Sequence, residues 1–431
     1  MGSTPYRLGL IGFGNIGTGV VRHLMEHAEL LNARSHGGLQ LVGISDKEFA
    51  RPRAVTPEPS VVLTTNWREL TDRPDIDGII ELVGVGPDGK PKLALEIAKA
   101  TLAKGKDFIT ANKALISDHG AELQAMAEDY GGLLLFEAAV GAGLPLFTSI
   151  QNGLAPDQIV GIHGIVNGTC NYILTRLEED KTLTLDAAIR EAQQLGYAEP
   201  DPSFDVGGMD AAYKISILAS LGFGQELHTA DVNVDGITRL GDPEFVFARE
   251  NGLVLKLLAT AQLVDGDRAR LQVGPCFIPA KHILSGVRGV FNAVLITGVP
   301  IGDTLYYGAG AGQNSTASGI LSDAILASRH RGQAVNPYPV KLRKGERRLA
   351  SSGAAGEARY LRIRCENGAE QMSALRALGV GKLVGEKGMA LSFVTAPMSD
   401  KEYENLVGKI NSLKIPLFDI THVRFALSAT A

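Results

Sequence analysis

The sequence predicts an α/β protein in three parts: a parallel, doubly wound sheet, an α+β middle region, and a small α+β segment at the C-terminus. Three observations carry that reading. Strand-like and helix-like segments alternate over residues 7 to 136, and a glycine-rich turn, "GFGNIG", joins the first strand to the first helix. Beyond about residue 140 the alternation gives way to longer strands with helices between them. Regular βαβ alternation produces parallel sheets covered by helices on both faces.

The elements follow in order. "RLGLIGFG" reads as a buried strand and "NIGTGVVRHLMEHAELL" as the helix after it. "LQLVGIS" is a second strand, and "IDGIIELVG" is another, leading to the helix "PKLALEIAKATLAKG". Short apolar runs, "KDFIT" and "GLLLFEA", flank the helical "HGAELQAMAEDYG". "QIVGIHGIVNG", "LQVGPCFIPA" and "GVFNAVLITG" then read as strands of a second sheet. "TASGILSDAILASRH", 316 to 330, has helical apolar periodicity and is expected to pack back on an earlier domain. "KLRKGERRLASSGAAGEA", 341 to 358, is basic, then small and polar, as linkers are. The remainder reads strand, helix, strand, strand, helix, strand. The domains expected are 1–138, completed by a returning helix near 310–335, then 139–310, the linker 341–358, and 359–431.

Composition narrows the class. Of 431 residues, 45% are hydrophobic and the formal net charge is −5, which gives no general attraction to nucleic acid or anionic membrane. No run of eighteen apolar residues occurs, and the N-terminus enters a strand directly, so neither a membrane span nor a signal peptide is expected. Cys170, Cys276 and Cys365 are too scattered for a disulfide framework or a zinc site, and a reducing cytoplasm is the simplest setting.

In "GFGNIG", Gly12 permits a tight turn, Gly14 lets backbone approach a pyrophosphate, and Gly17 lets helix and strand close up. Phe13, Asn15 and Ile16 complete a Rossmann-type turn whose helix N-terminus offers free N–H groups to phosphate. Asp46 ends the second strand and suits a ribose 2′-hydroxyl. Lys47, Arg51 and Arg53 follow it and equally suit a 2′-phosphate, so the pattern admits NAD and NADP alike. In "DFITANKALIS", Asn112 and Lys113 come just after a strand of this sheet. Ligands bind outside the carboxyl ends of such strands. A lysine there is either a surface charge or a group whose ammonium, once desolvated, can move a proton.

The segments "TANKALIS", "VNGTCNYILTRLEE" and "GYAEPDPSFDVGGMDAAYK" together resemble the signature segments of homoserine dehydrogenases, in the same order. "FEAAVGAGLPLFTSI" and "GAGAGQNSTASGILSD" are also similar to that family's segments, and the resemblance covers roughly residues 7 to 330. It implies reversible, NAD(P)-linked interconversion of L-homoserine and L-aspartate 4-semialdehyde by direct hydride transfer, in threonine, methionine and isoleucine biosynthesis. The acidic stretch before the helix "MDAAYKISILAS" then has a role, because a small zwitterion bound away from water needs carboxylates for its ammonium and donors for its carboxylate.

By the same resemblance, Glu199 and Asp205 hold the amino end, and Asn167, Gly168, Thr169 and Tyr197 line the rest. Asp210 and Lys214 fall four residues apart, on one helix face. Lys113 is assigned as acid/base and Lys214 as polariser of the carbonyl oxygen, oriented by Asp210, with the two lysine roles exchangeable. The resemblance further implies a sodium ion held by main-chain oxygens of Glu137, Val140, Ala142 and Leu144; an ordinary turn is the alternative. Gly308 and Gly310 are expected to return the chain to the cofactor. A homodimer built through the middle domain is implied, with further pairing into tetramers open.

Residues 359 to 427 match an ACT-like regulatory domain in length and rhythm. After "RYLRIRC", however, "ENGAEQMSALRALG" offers Gly368 and lacks the proline expected of an effector-binding turn. Dimerisation or a purely structural role is as suitable as effector binding. Two other functions compete: a dehydrogenase of another amino-acid-derived alcohol or aldehyde, and a catalytically silent nucleotide-binding sensor.

Overall fold

The structure, a computed structural model, describes residues 4–331, 345, 347–350, 356–365, 368–387, 390–413 and 417–426. In chain order it begins β1 (Tyr6–Ile11), α1 (Asn15–Glu26), α2 (Ala28–Arg34), β2 (Leu39–Ser45), β3 (Val62–Thr64), α3 (Trp67–Asp72) and β4 (Gly78–Glu81). Next come α4 (Lys92–Leu102), β5 (Asp107–Thr110), α5 (Lys113–Tyr130), β6 (Leu134–Leu135), α6 (Leu146–Thr148) and β7 (Gln158–Ile165). The middle of the chain forms α7 (Gly168–Glu179), α8 (Leu185–Gln194), α9 (Ser203–Val206), α10 (Met209–Phe223), β8 (Val232–Val234) and α11 (Asp242–Glu250). Long strands follow, β9 (Leu253–Val264), β10 (Arg268–Pro279), β11 (Phe291–Val299) and β12 (Gly302–Ala309), and then α12 (Gln313–His330). The chain closes with β13 (Arg359–Cys365), α13 (Gly368–Ala377), β14 (Lys382–Lys387), β15 (Ala390–Val394), α14 (Asp400–Ser412) and β16 (Leu417–Phe425). These divide between two compact units: Met1–Ile162 with Tyr213–Asp231 and Asn292–Arg347, and His163–Ala212 with Val232–Phe291 and Arg348–Ala431.

The first unit is built on a six-stranded parallel sheet in the order β3-β2-β1-β4-β5-β6. The order reverses between β1 and β4, the switch point at which ligands of such sheets bind. Leu8, Leu10, Ile44, Ile80 and Ile109 are fully buried, as strands covered on both faces require. The returning helix packs as the periodicity predicts: Ala317, Ile320, Leu321 and Ala324 of α12 share a core with Val20 and Val21 of α1. Each Val, Ile or Leu buried there contributes about 1.5–3 kcal/mol. The unit also carries β12, all of β11 but its first residue, and the Gln158–Ile162 part of β7, side by side.

Four details depart from the sequence reading. The first helix breaks at His27, whose backbone leaves the helical region at φ −120° and ψ 26°. α5 begins at Lys113 rather than His119, because Asn112 caps it, its side-chain oxygen accepting the Leu115 N–H at 3.1 Å. "GLLLFEA" yields only the two residues of β6 before Glu137–Ala139 turn away. The short edge strand β3 was not anticipated, its exposed Val62 and Leu63 falling outside any apolar periodicity.

In the second unit the strand order is β9-β10-β16-β13-β15-β14, with β8 beside β10. The C-terminal segment has the predicted βαββαβ sequence around Leu361, Ile363, Phe393, Leu406 and Ile410. Ser399 and Glu402 cap α14 reciprocally. Arg362 of β13 and Glu244 of α11 pair at 2.7 Å, both buried. Within the expected linker, Leu349 forms a parallel bridge with Ala269 of β10. Residues 366 and 367, just after β13, where an effector-binding turn is expected, lie outside the described residues.

Candidate active site

The carboxyl ends of β1 and β2 open onto a cavity of about 460 Å³ lined by Gly12, Phe13, Gly14, Asp46, Lys47, Arg51, Arg53, Trp67 and Leu93, among others. Gly12 has φ +101°, and a Cβ there would lie 2.5 Å from the Leu82 carbonyl oxygen, so the turn admits only glycine. At Gly17 a Cβ would meet the Gly12 carbonyl at 2.3 Å, whereas nothing lies within 4 Å of one at Gly14. The tight turn and close packing assigned to Gly12 and Gly17 are therefore present, and Gly14 presents open backbone at the start of α1. Asn15 and Ile16 form the first residues of that helix. These features fit the pyrophosphate of a dinucleotide.

Asp46 is less available than its position suggests. One carboxylate oxygen accepts the Phe13 N–H at 2.6 Å, the other accepts the Glu48 N–H at 2.8 Å, and the Arg53 guanidinium stands 3.3 Å away. Arg53 also donates to the Phe13 and Glu48 carbonyls, at 2.7 Å each, and lies over the Phe13 ring. It is thus a clasp closing the 46–53 loop onto the glycine turn. Lys47 and Arg51 remain exposed on the cavity wall.

Lys113, half-buried, is the first residue of α5, immediately beyond the carboxyl end of β5. On the neighbouring strand, across from Thr110, lies a group that the sequence motifs do not mark. Glu81, the last residue of β4, is fully buried and stands in register between Ile11 and Thr110. Burial pushes its carboxyl up to about 7, against the opposing influence of the Thr110 hydroxyl and the Val83 and Gly84 backbone. A charged residue ending the apolar run "GIIE" was the available signal.

In the second glycine cluster Gly308 and Gly310 are packed, whereas Gly312 is open. A Cβ on Gly310 would fall 1.8 Å from Asn292 Nδ2, and one on Gly308 would fall 2.9 Å from Leu144 Cδ2. The helix they precede does reach the glycine turn: Gln313 Nε2 donates to the Asn15 carbonyl at 2.7 Å, and Arg22 donates to Gln313 Oε1 at 2.8 Å.

In the second unit Asn167 is a hub. Its side-chain oxygen caps α7 through the Cys170 N–H at 2.8 Å, and its amide donates to Asp205 at 2.7 Å and Asp210 at 2.8 Å. Gly168 begins α7, and the Thr169 hydroxyl donates to the Tyr197 carbonyl at 2.6 Å. Asn167, Gly168, Thr169, Tyr197, Asp205 and Asp210 are thereby brought together. Glu199 is not part of this cluster; it is exposed on the loop, where Gln193 holds its main-chain carbonyl at 3.2 Å. Asp210 and Lys214 lie one turn apart on α10.

The predicted cation loop is tightly bent, with Gly141 at φ 72° and Ala142 at φ 54°. Glu137 is buried, and its carboxylate accepts the Phe147 and Thr148 N–H groups at 2.8 and 2.9 Å and the Thr148 hydroxyl at 2.5 Å. Leu144 already accepts the Leu146 N–H at 2.8 Å, while no hydrogen bond to the Val140 carbonyl is seen among the described residues.

Comparison with known proteins bears on the whole arrangement. A family model described as homoserine dehydrogenase, NAD binding domain, matches residues 12–137, and one described as homoserine dehydrogenase matches residues 145–325. The chain is 32% identical to the homoserine dehydrogenase of Bacillus subtilis over 421 residues, 95% of each chain. It belongs to the homoserine dehydrogenase family.

As a homoserine dehydrogenase it is an NAD(P)-dependent oxidoreductase that interconverts L-homoserine and L-aspartate 4-semialdehyde. The crystal structure of a homoserine dehydrogenase from Thiobacillus denitrificans superposes with a TM-score of 0.88 at 31% identity, covering 98% of this chain and 99% of that one. A hyperthermophilic archaeal homoserine dehydrogenase in complex with NADPH superposes with a TM-score of 0.61 at 26% identity, covering 75% of this chain and 98% of that one. Neither a silent sensor nor a dehydrogenase of a different alcohol is favoured by these relationships. The NAD-binding match includes Gly12, Asp46, Glu81 and Lys113, and the second match includes Asn167, Asp205, Asp210, Lys214 and Gly310.

Proposed function

We propose that in this homoserine dehydrogenase Lys113 is the acid/base and Lys214 polarises the substrate oxygen. The observation that carries this is the place of Lys113: first residue of α5, past the carboxyl end of β5, in the parallel sheet that binds the cofactor. The bound nicotinamide supplies or accepts the hydride. Lys113 takes the hydroxyl proton as the alcohol is oxidised and returns it on reduction. The Lys214 ammonium stabilises charge developing on that oxygen, with Asp210 on the same helical face orienting it. Asp205 holds the substrate ammonium together with Glu199, whose carboxylate is exposed and outside the Asn167 cluster, while Thr169, Gly168 and Tyr197 line the pocket. NADP is the preferred cofactor in this reading, because Asp46 is already committed to Phe13 and Arg53 while Lys47 and Arg51 face the cavity.

The bent 140–144 loop suits a monovalent cation held by carbonyls of Glu137, Val140, Ala142 and Leu144, since the Glu137 carboxylate is occupied elsewhere and hard cations take oxygen ligands. The chain is read as an NAD(P)-binding domain over 1–138 with 310–335, a substrate and dimerisation domain over 139–310, and an ACT-like module over 359–431. A cytoplasmic dimer serving threonine, methionine and isoleucine synthesis completes the reading; among the described residues no helix is long and apolar enough to cross a membrane.

Turnover of L-homoserine with NAD and with NADP, followed at the nicotinamide absorbance, tests it. Lys113→Ala is expected to lose at least about a hundredfold in kcat, the scale of a positioned acid/base. Parental turnover by that variant removes Lys113 from the mechanism, and a higher kcat/KM with NAD overturns the cofactor assignment.

A further inference from the structure

Glu81 sits where ligand chemistry is expected, and no role assigned so far uses it. It ends β4, next to β1 across the point where strand order reverses, and Gly12 packs against the Leu82–Val83 backbone just beyond it. Oε1 accepts the Val83 N–H at 2.7 Å, and Oε2 accepts the Thr110 hydroxyl at 2.7 Å. The Thr110 oxygen in turn accepts the Asn112 N–H at 3.0 Å, and Asn112 Nδ2 donates to the Gly84 carbonyl at 3.0 Å. One carboxyl thus joins the 82–84 turn to the turn that ends at Lys113.

We propose that Glu81 is a positioning residue for the dehydrogenase reaction, its carboxyl holding the 82–84 turn and the 110–113 turn in the arrangement that receives the nicotinamide cofactor. A buried acid has no stabilising reason to be there: an apolar residue would fill the same space without the desolvation cost. The relay from Asn112 through Thr110 runs toward an acceptor, so the ionised form completes it and protonation on Oε2 displaces the Thr110 proton. The titratable groups on the flanking elements are Tyr6 and Arg7 of β1 and Asp107 of β5, at the opposite, amino ends of their strands, Lys92, Glu96 and Lys99 of α4, Asp323, Arg329 and His330 of α12, and Lys113 at the start of α5. Burial is the largest influence on the Glu81 carboxyl.

The test measures NADPH and NADP affinity of the full chain by fluorescence and calorimetry, without homoserine, from pH 6 to 8. It therefore stands whether or not Lys113 proves to be the acid/base. Glu81→Gln and Thr110→Val are each expected to raise the dissociation constant at least about tenfold, the scale of a lost charge-assisted hydrogen bond. Thr110→Ser, which keeps the hydroxyl, is expected to restore parental affinity. Affinity of the parent relative to Glu81→Gln should rise with pH through about 7, a comparison in which titration of the 2′-phosphate cancels. Parental affinity in Glu81→Gln across this range overturns the proposal, as does Thr110→Ser binding as weakly as Thr110→Val. The Thr110 pair decides the matter alone where Glu81→Gln does not fold.

Discussion

Asn167→Asp separates the two things Asn167 does. Aspartate caps a helix as well as asparagine, so the Cys170 N–H keeps its partner. The other end of the side chain changes from two donors into an acceptor facing Asp205 and Asp210. The charge-assisted bonds at 2.7 and 2.8 Å are lost. At about 1.5–3 kcal/mol each, with some sharing between them, the loss is about 3–5 kcal/mol near pH 8. Solvent relieves little of it, since Asp210 is only 4% exposed. Like charges at close range disfavour ionisation of the introduced carboxyl, so the folded variant holds a proton that its unfolded chain releases. Its stability therefore falls as pH rises and partly recovers on the acid side. Urea unfolding followed by circular dichroism from pH 5 to 8, beside the KM for homoserine, reads both effects. Asn167→Ala loses the cap as well but lacks that pH dependence. A variant that unfolds at the parental midpoint at pH 8, with unchanged KM, refutes the bridging role of the amide.

Two further outcomes follow from packing and burial. Gly310→Ala should cost about 1–3 kcal/mol by overpacking, because its Cβ would fall 1.8 Å from Asn292 Nδ2; thermal unfolding reads this, and adding Asn292→Ala should recover most of it. Lys256 of β9 is buried with its ammonium on the Val287 carbonyl at 2.5 Å, and burial holds its pKa down to about 8. Between that value and the ordinary 10.5 the unfolded chain binds more protons, so stability gains as pH rises over this window. Lys256→Met should lack that gain in denaturation profiles, and identical profiles for the two proteins would remove the lysine as its source.

Much of the fold was legible because it depends on local rules. The strand–glycine–helix turn at 11–17 is dictated by the positive φ of Gly12 and by a close approach at Gly17 that leaves no room for a Cβ. The βαβ alternation is a matter of periodicity within short windows, as is the apolar stripe that sends α12 back to α1. Element boundaries were less legible where a single capping contact decided them, as Asn112 did for α5.

What the sequence by itself determined was the set of chemical groups and the local backbone that presents them: the glycine turn, the lysine after β5 and the carboxylates ahead of α10. Tertiary structure alone decided which of those groups are free and which are occupied. Arg53 closes on Phe13 and Asp46, Asn167 joins Asp205 to Asp210, and Thr110 meets Glu81 across two strands. Each is a hydrogen bond or ion pair between residues apart in the chain. Its formation depends on strand register and loop closure, which no local pattern of residues encodes.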